Sequence, residues 1–307
     1  MSNVIPRALE ALAKLNAPIA VVAHDAGAAN HISAWFAGLM ATSVHGSFAG
    51  PASAIFSQQC PWMATGLFNE HLSQCKTLIS GTGWAGTFEH DARTLAKQMG
   101  CYSIAVIDHW TSYRERFVRN NEETLPDEIW ITDDYAKTLA EIEFPDIRIV
   151  QMQNMYLENM TAEVRDHQYN APASSARNVL YVLEPFRESW GTSPLLGEFQ
   201  ALDFFVMNLQ TLHLDNNVSI KLRPHPSDAV GKYDQWIESQ KDLKITLEHS
   251  STLAESIAWA DIVVGCQTYA MVVALAAGKH VISSLPPWGP SCVLPHREIL
   301  KLADLVH

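Results

Sequence analysis

The chain has 307 residues, 48% of them hydrophobic and 18% charged, a composition that fits an ordinary globular protein and excludes a disordered or fibrous one. Its length suits two domains of about 150 residues better than a single core. Twenty-one Lys and Arg against 33 Asp and Glu leave a formal charge of −12, which argues against a generic nucleic-acid or anionic-membrane surface. Any anionic substrate must then be met by local cations.

Residues 1–15 place apolar positions at helical spacing among Arg7, Glu10 and Lys14, unlike the unbroken apolar run of a secretory leader. No later stretch approaches 18 uninterrupted apolar residues, and the expected location is cytoplasmic. The five cysteines, at 60, 75, 101, 266 and 292, form no CxxC pair and read as reduced, mostly buried thiols. The 13 histidines include no HExxH, so neither a metal site nor a cofactor is expected.

In the first half, "PIAVVAHDAGAANHISAWFAGL" is a short apolar run, a small-residue loop and an amphipathic stretch. "KTLISGTGWAGTFEHDARTLAKQMG" repeats that order, and "CYSIAVIDHW" and "EIWITDDYAKTLAEI" add further apolar runs ending in polar loops. Buried strands alternating with helices predict a doubly wound parallel sheet, whose ligands lie beyond the carboxyl ends of the strands. That edge would carry His24, Asp25, Gly83, Trp84, His109 and Trp110.

Asp25 is the first candidate for a general base, with His24 tuning or replacing it and Glu89 in reserve. The plainer alternatives are a helix cap for Asp25 and a solvated helix carboxylate for Glu89. His109, Trp110, Arg114 and Arg116 would form a second binding surface, with Arg119 nearby if the segment is helical. Aromatic faces stack on sugar rings and guanidinium forks bind carboxylate or phosphate. Simple pairing of those arginines with Glu115, Glu122 and Glu123 is the alternative. The Asp133-Asp134 pair is the nearest thing to metal carboxylates.

Residues 158–177 lose periodicity and read as a linker between domains 1–157 and 178–307. The α/β pattern then restarts with "NVLYVLEP". In "SIKLRPHPSD" a strand stops at two prolines that bracket His225 and restrict its backbone. A surface turn is the plainer reading. In "ADIVVGCQTYAMVVALAAGKHVISS" a strand breaks at Gly265, and a helix starts after Cys266-Gln267-Thr268. Gly265 would let the backbone approach a ligand, and the helix start offers unpaired N–H groups to a phosphate. Thr268 as an ordinary cap is the alternative.

Together, the Lys-x-Arg-Pro-His-Pro strand end, the Gly-x-x-Thr turn some 40 residues later and "GKHVISS" resemble the C-terminal donor domain of GT-B glycosyltransferases. The likeness is greatest to the His-Pro-motif enzymes of bacterial surface polysaccharides: sialyltransferases, Kdo transferases and polyglycerol-phosphate polymerases. It spans roughly residues 178–290. It implies two Rossmann-like domains facing across a cleft, the first on the acceptor side and the second binding the donor, with a last helix that crosses back. By the same resemblance His225 and Thr268 hold the donor phosphate, with Lys221, Arg223, Pro226, Gly265, Gln267, Ser283 and Ser284 as helpers. His225, as an imidazolium, would stabilise the leaving phosphate without a metal.

Cys266-Gln267-Thr268 stands where the ulosonate families often have paired serines, and the first half has no Asp-Asp-Gly base motif. The expected activity is a metal-independent transfer of a sugar, first a CMP-linked ulosonic acid such as sialic acid or Kdo, to a glycan or glycolipid acceptor. Peripheral membrane contact is compatible with this. The alternatives are a UDP-N-acetylglucosamine 2-epimerase-like enzyme and a non-catalytic glycan- or sugar-nucleotide-binding subunit.

Overall fold

The computed structural model describes residues 8–39, 43–83, 86–169, 177–214, 218–248 and 252–306. Two compact units divide the chain, Met1–Tyr156 and Leu157–His307. Unit 1 contains, in order, α1 (Ala8–Ala13), β1 (Ile19–Ala23), α2 (Ala26–Phe36), β2 (Val44–Phe48), α3 (Gly50–Gln59), β3 (Ala64–Thr65), α4 (Phe68–Leu72), β4 (Thr77–Ser80), α5 (Phe88–Met99), β5 (Tyr102–Val106), β6 (Val118–Arg119), β7 (Glu122–Glu123), β8 (Glu128–Ile131), α6 (Asp134–Glu143) and β9 (Arg148–Gln151). Helix α7 (Met155–Tyr169) follows at the boundary. Unit 2 continues with β10 (Arg177–Val182), α8 (Gly197–Met207), β11 (Val218–Arg223), α9 (Asp234–Ser239), β12 (Lys244–Leu247), α10 (Leu253–Trp259), β13 (Ile262–Gly265), α11 (Tyr269–Ala276), β14 (His280–Ser283), β15 (Leu300–Lys301) and α12 (Leu302–Leu305).

The main sheet of unit 1 has the order β3-β2-β1-β4-β5-β8-β9 and is parallel throughout. The strand Ile-Ala-Val-Val-Ala of β1 is buried along its whole length. Ile19, Val21 and Ala23 enter one core cluster, and Ala20 and Val22 another. Alternate residues of a central strand point to opposite faces, so a run apolar at every position needs helices on both sides. Strands after β1 spread one way and strands from β4 onward the other. The order therefore reverses between β1 and β4, which is where open α/β sheets hold ligands.

Unit 2 repeats the plan in the parallel order β12-β11-β10-β13-β14-β15, reversing between β10 and β13. On β11, Ile220 and Leu222 are buried while Lys221 and Arg223 alternate with them. Thr252 accepts from Glu255 N–H while Glu255 returns a bond to the Thr252 N–H, a capping box that fixes the start of α10.

Two expectations change. The supposed linker is helical as far as Tyr169, because Thr161 and Val164 are buried at helical spacing and the flanking residues are ordinary helix formers. The arginine segment forms one 3₁₀ turn, Glu115–Phe117, and then the hairpin β6–β7. Its turn residues Asn120 and Asn121 have φ of 50° and 65°, the left-handed pair that a two-residue hairpin requires. Leu302 of α12 is buried in the core of unit 2.

Candidate functional site

At the reversal point of unit 1, β1 delivers His24 and Asp25 and β4 delivers Gly81 to Gly83. Asp25 occupies the N-cap position of α2, yet its side chain makes no cap hydrogen bond. Its Oδ1 lies 2.6 Å from His24 Nδ1 instead. Both side chains stay more than a third exposed. A carboxylate on Nδ1 selects the tautomer with its hydrogen there, which leaves the Nε2 lone pair free to accept a proton. Gly50 has φ +52° and a Cβ on it would come within 2.9 Å of the His24 ring, so only glycine leaves space for this imidazole.

Glu89, in the first turn of α5, is buried and not solvated. It accepts from the His24 N–H at 2.9 Å and the Gly83 N–H at 2.5 Å, tying the loops after β1 and β4 together. Asp25 Oδ2 and Glu89 Oε2 both lie within 2.7 Å of where a Gly83 Cβ would stand, so the two carboxylates are close neighbours. Burial first, and the Asp25 charge, push the Glu89 carboxyl up. Behind it Arg93 is fully buried, donates to Gly81 O at 2.7 Å and Ser80 Oγ at 3.1 Å, and is lowered by that burial to about 10. Arg119 donates to Gly83 O at 2.7 Å and to Gly86 O at 2.8 Å, holding the far side of the loop.

The second binding surface does not form as expected. Trp110 is buried and its Nε1–H donates to the Asp133 carboxylate, whose Oδ1 also caps α6 by accepting from Ala136 N–H. Asp133 is thereby spoken for as a cap. Arg116 is buried and donates to Asp108 Oδ1 at 2.9 Å and Thr82 Oγ1 at 3.2 Å. Burial raises Asp108, but Arg116, His31 and His109 outweigh it and hold its carboxyl below the usual range. Arg114 pairs with Glu123 at 2.9 Å on the surface. His109 remains partly exposed beside Thr111, its pKa lowered mainly by burial. Trp84 lies outside the described residues.

In unit 2, β11 delivers the His-Pro loop. His225 Nδ1 accepts from Ser227 N–H at 3.2 Å and lies 2.8 Å from Ser227 Oγ, so the ring hydrogen belongs on Nε2. Desolvation of the ring, with Lys232 and Arg187, lowers its pKa against the pull of Asp228. These contacts leave the His225 ring to donate through its Nε2–H, where the expected role was that of an imidazolium. The loop is clamped less by its prolines than by Asp228. Oδ2 of Asp228 accepts from the His225 N–H at 2.9 Å and the Tyr233 O–H at 3.0 Å, while Oδ1 meets Lys232 Nζ at 2.6 Å. Lys232 also reaches buried Glu198 at 2.7 Å.

At the reversal point between β10 and β13, Glu184 accepts from the Gln267 N–H at 3.0 Å. The amide expected to receive a phosphate thus already has a carboxylate partner. Burial raises the Glu184 carboxyl to about 7. Thr268 is the N-cap of α11, but its hydroxyl makes no cap bond.

The remaining helpers are engaged elsewhere. Lys221 pairs with Glu248 at 2.9 Å over the Trp259 ring, and Arg223 donates to Ser256 Oγ at 2.9 Å. Ser283 donates to Cys266 O at 2.7 Å, and Ser284 lies 2.7 Å from Tyr181 Oη, both buried. A Cβ on Gly265 would meet Val182 at 2.8 Å, so that glycine serves packing rather than ligand approach. Gln267 Oε1 accepts from Val293 N–H at 3.2 Å, and Pro226 is exposed. Sequence reasoning missed Arg93, Glu184 and Asp228. Glu184 has a legible signal, since it ends a strand at the ligand edge.

No protein-family model matches the chain, and no curated protein sequence does. Among solved structures, a Listeria monocytogenes protein described as a UDP-N-acetylglucosamine 2-epimerase is 10% identical with a TM-score of 0.57, covering 86% of this chain and 78% of its own. A UDP-forming trehalose-phosphate synthase of Burkholderia xenovorans is 9% identical with a TM-score of 0.51, covering 94% and 89%. The wall teichoic acid polymerase TagF is 11% identical with a TM-score of 0.47, covering 87% and 69%. The first two likenesses show the fold: two Rossmann-like domains of the GT-B kind.

Proposed function

We propose that the chain is a glycosyltransferase that moves a sugar from a nucleotide donor to a hydroxyl of a glycan acceptor without a metal ion. The observation that carries this reading is the hydrogen-bonded His24–Asp25 pair at the reversal point of unit 1, with Nε2 left as a proton acceptor. As the bond to the anomeric carbon forms, Nε2 would take the acceptor proton and the Asp25 carboxylate would stabilise the imidazolium. Asp25, the first candidate base, becomes the orienting group. Unit 2 would bind the donor, with the His225 Nε2–H and the Thr268 hydroxyl aimed at the phosphate that gains charge on leaving. The partly buried charge pairs Lys221–Glu248 and Arg116–Asp108 are supporting structure in this scheme.

The first donor to test is a CMP-linked ulosonic acid. Thermal stabilisation by CMP, CDP and UDP, followed by transfer assays in chelator, tests the reading. Stabilisation by CMP or CDP with chelator-resistant transfer is expected. Stabilisation by UDP alone, with inversion at C2 of UDP-N-acetylglucosamine and no transfer, would replace it with the epimerase reading, which the Listeria neighbour's fold also suits.

A further inference from the structure

Unit 2 has a second concave surface, built from a motif that the strand-edge residues do not use. Two loops carry the same dipeptide, Trp190-Gly191 after β10 and Trp288-Gly289 after β14. They interlock. A Cβ on Gly289 would come within 2.9 Å of the Trp190 ring, and a Cβ on Gly191 would meet Trp288 at 3.6 Å, so each indole lies against the other loop's glycine. Gly197 at the start of α8 makes room for Trp190 in the same way. Trp288 Nε1–H donates to Gln200 Oε1 at 2.7 Å and its ring meets Phe204 edge to face, yet 49% of the residue remains exposed.

The groove between these loops and α8 encloses about 440 Å3 and is lined by Trp190, Trp288, Leu195, Thr192, Gln200 and Asp203 among others. Asp203 Oδ1 accepts from Trp236 Nε1–H at 2.7 Å, which fixes the carboxylate in the wall. Preorganised indoles beside a fixed carboxylate and a hydroxyl match a pyranose ring: its C–H face stacks on indole and its hydroxyls donate to the carboxylate. The lining holds Asp203 and no Lys or Arg, which disfavours phosphate, sulfate or ulosonate groups. The same half-buried carboxylate disfavours an acyl chain, which offers it no donor. The volume is within the range of small-molecule sites.

We propose that this groove binds a neutral glycan through one or two pyranose rings, as a subsite separate from the strand-edge residues. Glycan binding here does not depend on the transfer reaction, so absence of nucleotide stabilisation would sink that reading and leave this one standing. The test titrates the full chain with maltoheptaose, cellohexaose and chitohexaose up to about 10 mM, above the ~1 mM dissociation constant of a weak site. Tryptophan fluorescence and saturation-transfer NMR report binding, with free N-acetylneuraminic acid and decanoate as competitors. The expected result is saturable binding of at least one neutral probe, weakened at least about tenfold in both Trp288→Ala and Asp203→Asn. Asp203→Asn retains an oxygen for Trp236 and keeps the test independent of folding. Failure of all three neutral probes, full binding in Asp203→Asn, or displacement by N-acetylneuraminic acid or decanoate would overturn the proposal.

Discussion

At the scale of single residues, the proposed mechanism divides one task between His24 and Asp25. With Nδ1 held by the carboxylate, the proton goes to Nε2, and His24→Ala should lower turnover by about 10²–10⁴-fold while nucleotide stabilisation is retained. Added imidazole should restore part of that loss. Near-normal turnover in His24→Ala would return the base to Asp25. Glu184 poses a different question, since its folded pKa of about 7 stands well above that of a free carboxyl. Between pH ~4.5 and 7 the unfolded chain has lost this proton and the folded chain keeps it, so stability falls as pH rises through that window. Replacing it with a neutral amide removes the penalty: Glu184→Gln should gain up to about 3 kcal/mol at pH 8, less at its partly exposed edge, and little at pH 5. Thermal unfolding at the two pH values checks this; an equal gain at both would contradict it. The same charge should weaken phosphate binding above pH 7 in the native protein and not in the variant.

Among the elements, the His-Pro loop shows how a short segment is made rigid. Two prolines restrict the backbone of His225, but Asp228 gives its amide a partner and ties it to Tyr233 and Lys232. Asp228→Ala would leave Lys232 and Glu198 without their third charge. Breaking such a buried network typically costs about 3–5 kcal/mol. The expected outcome is a lower melting temperature of unit 2 and weaker nucleotide binding, read by calorimetry and titration. Unchanged affinity in a folded variant would mean that His225 does not need the clamp. The hairpin β6–β7 makes the opposite point, because its side chains serve the site only through Arg119 and the loop that it holds.

On the scale of the whole molecule, separate cores in the two units predict two thermal transitions. In unit 1, His31 is pushed down by burial to about 4, and His71, His90 and His109 are also lowered. As pH falls below about 6.5 the unfolded chain takes up protons that these four rings refuse, so unit 1 loses stability, a loss that the raised carboxyl of Glu89 offsets in part. In unit 2 the lowered His225 pulls the same way, but Glu184 gains stability over the same range. Acidification from pH 7 to 5 should therefore lower the unit 1 transition more than the unit 2 transition. Parallel shifts in a calorimetric pH series would contradict this. Nucleotide at 100 times its dissociation constant should stabilise unit 2 by about 2.7 kcal/mol.

The sequence by itself determined the central strands of both sheets and the edge at which their polar ends collect, though not the helix Met155–Tyr169 or the hairpin β6–β7. Runs such as Ile19–Ala23 and Ile262–Gly265 are apolar at every position, which fits only a strand covered on both faces, and in such sheets polar residues just past the strand ends collect at one edge. His24, Asp25, Gly83, Glu184, His225 and Thr268 all follow from that rule, including the one that was overlooked. What the tertiary structure alone decided is which of those side chains remain available. Trp110, Arg116, Ser283 and Ser284 stand at or near strand ends with suitable chemistry, yet each is buried against a partner distant in sequence, Thr82 in the case of Arg116. Buried polar groups must find partners, and those partners come from other strands and loops that the local sequence does not name. Protonation state is decided at the same level: the imidazole of His225 and the carboxyl of Glu184 look ordinary in sequence, and their pKa values move because the fold sets how much water and charge surround each one.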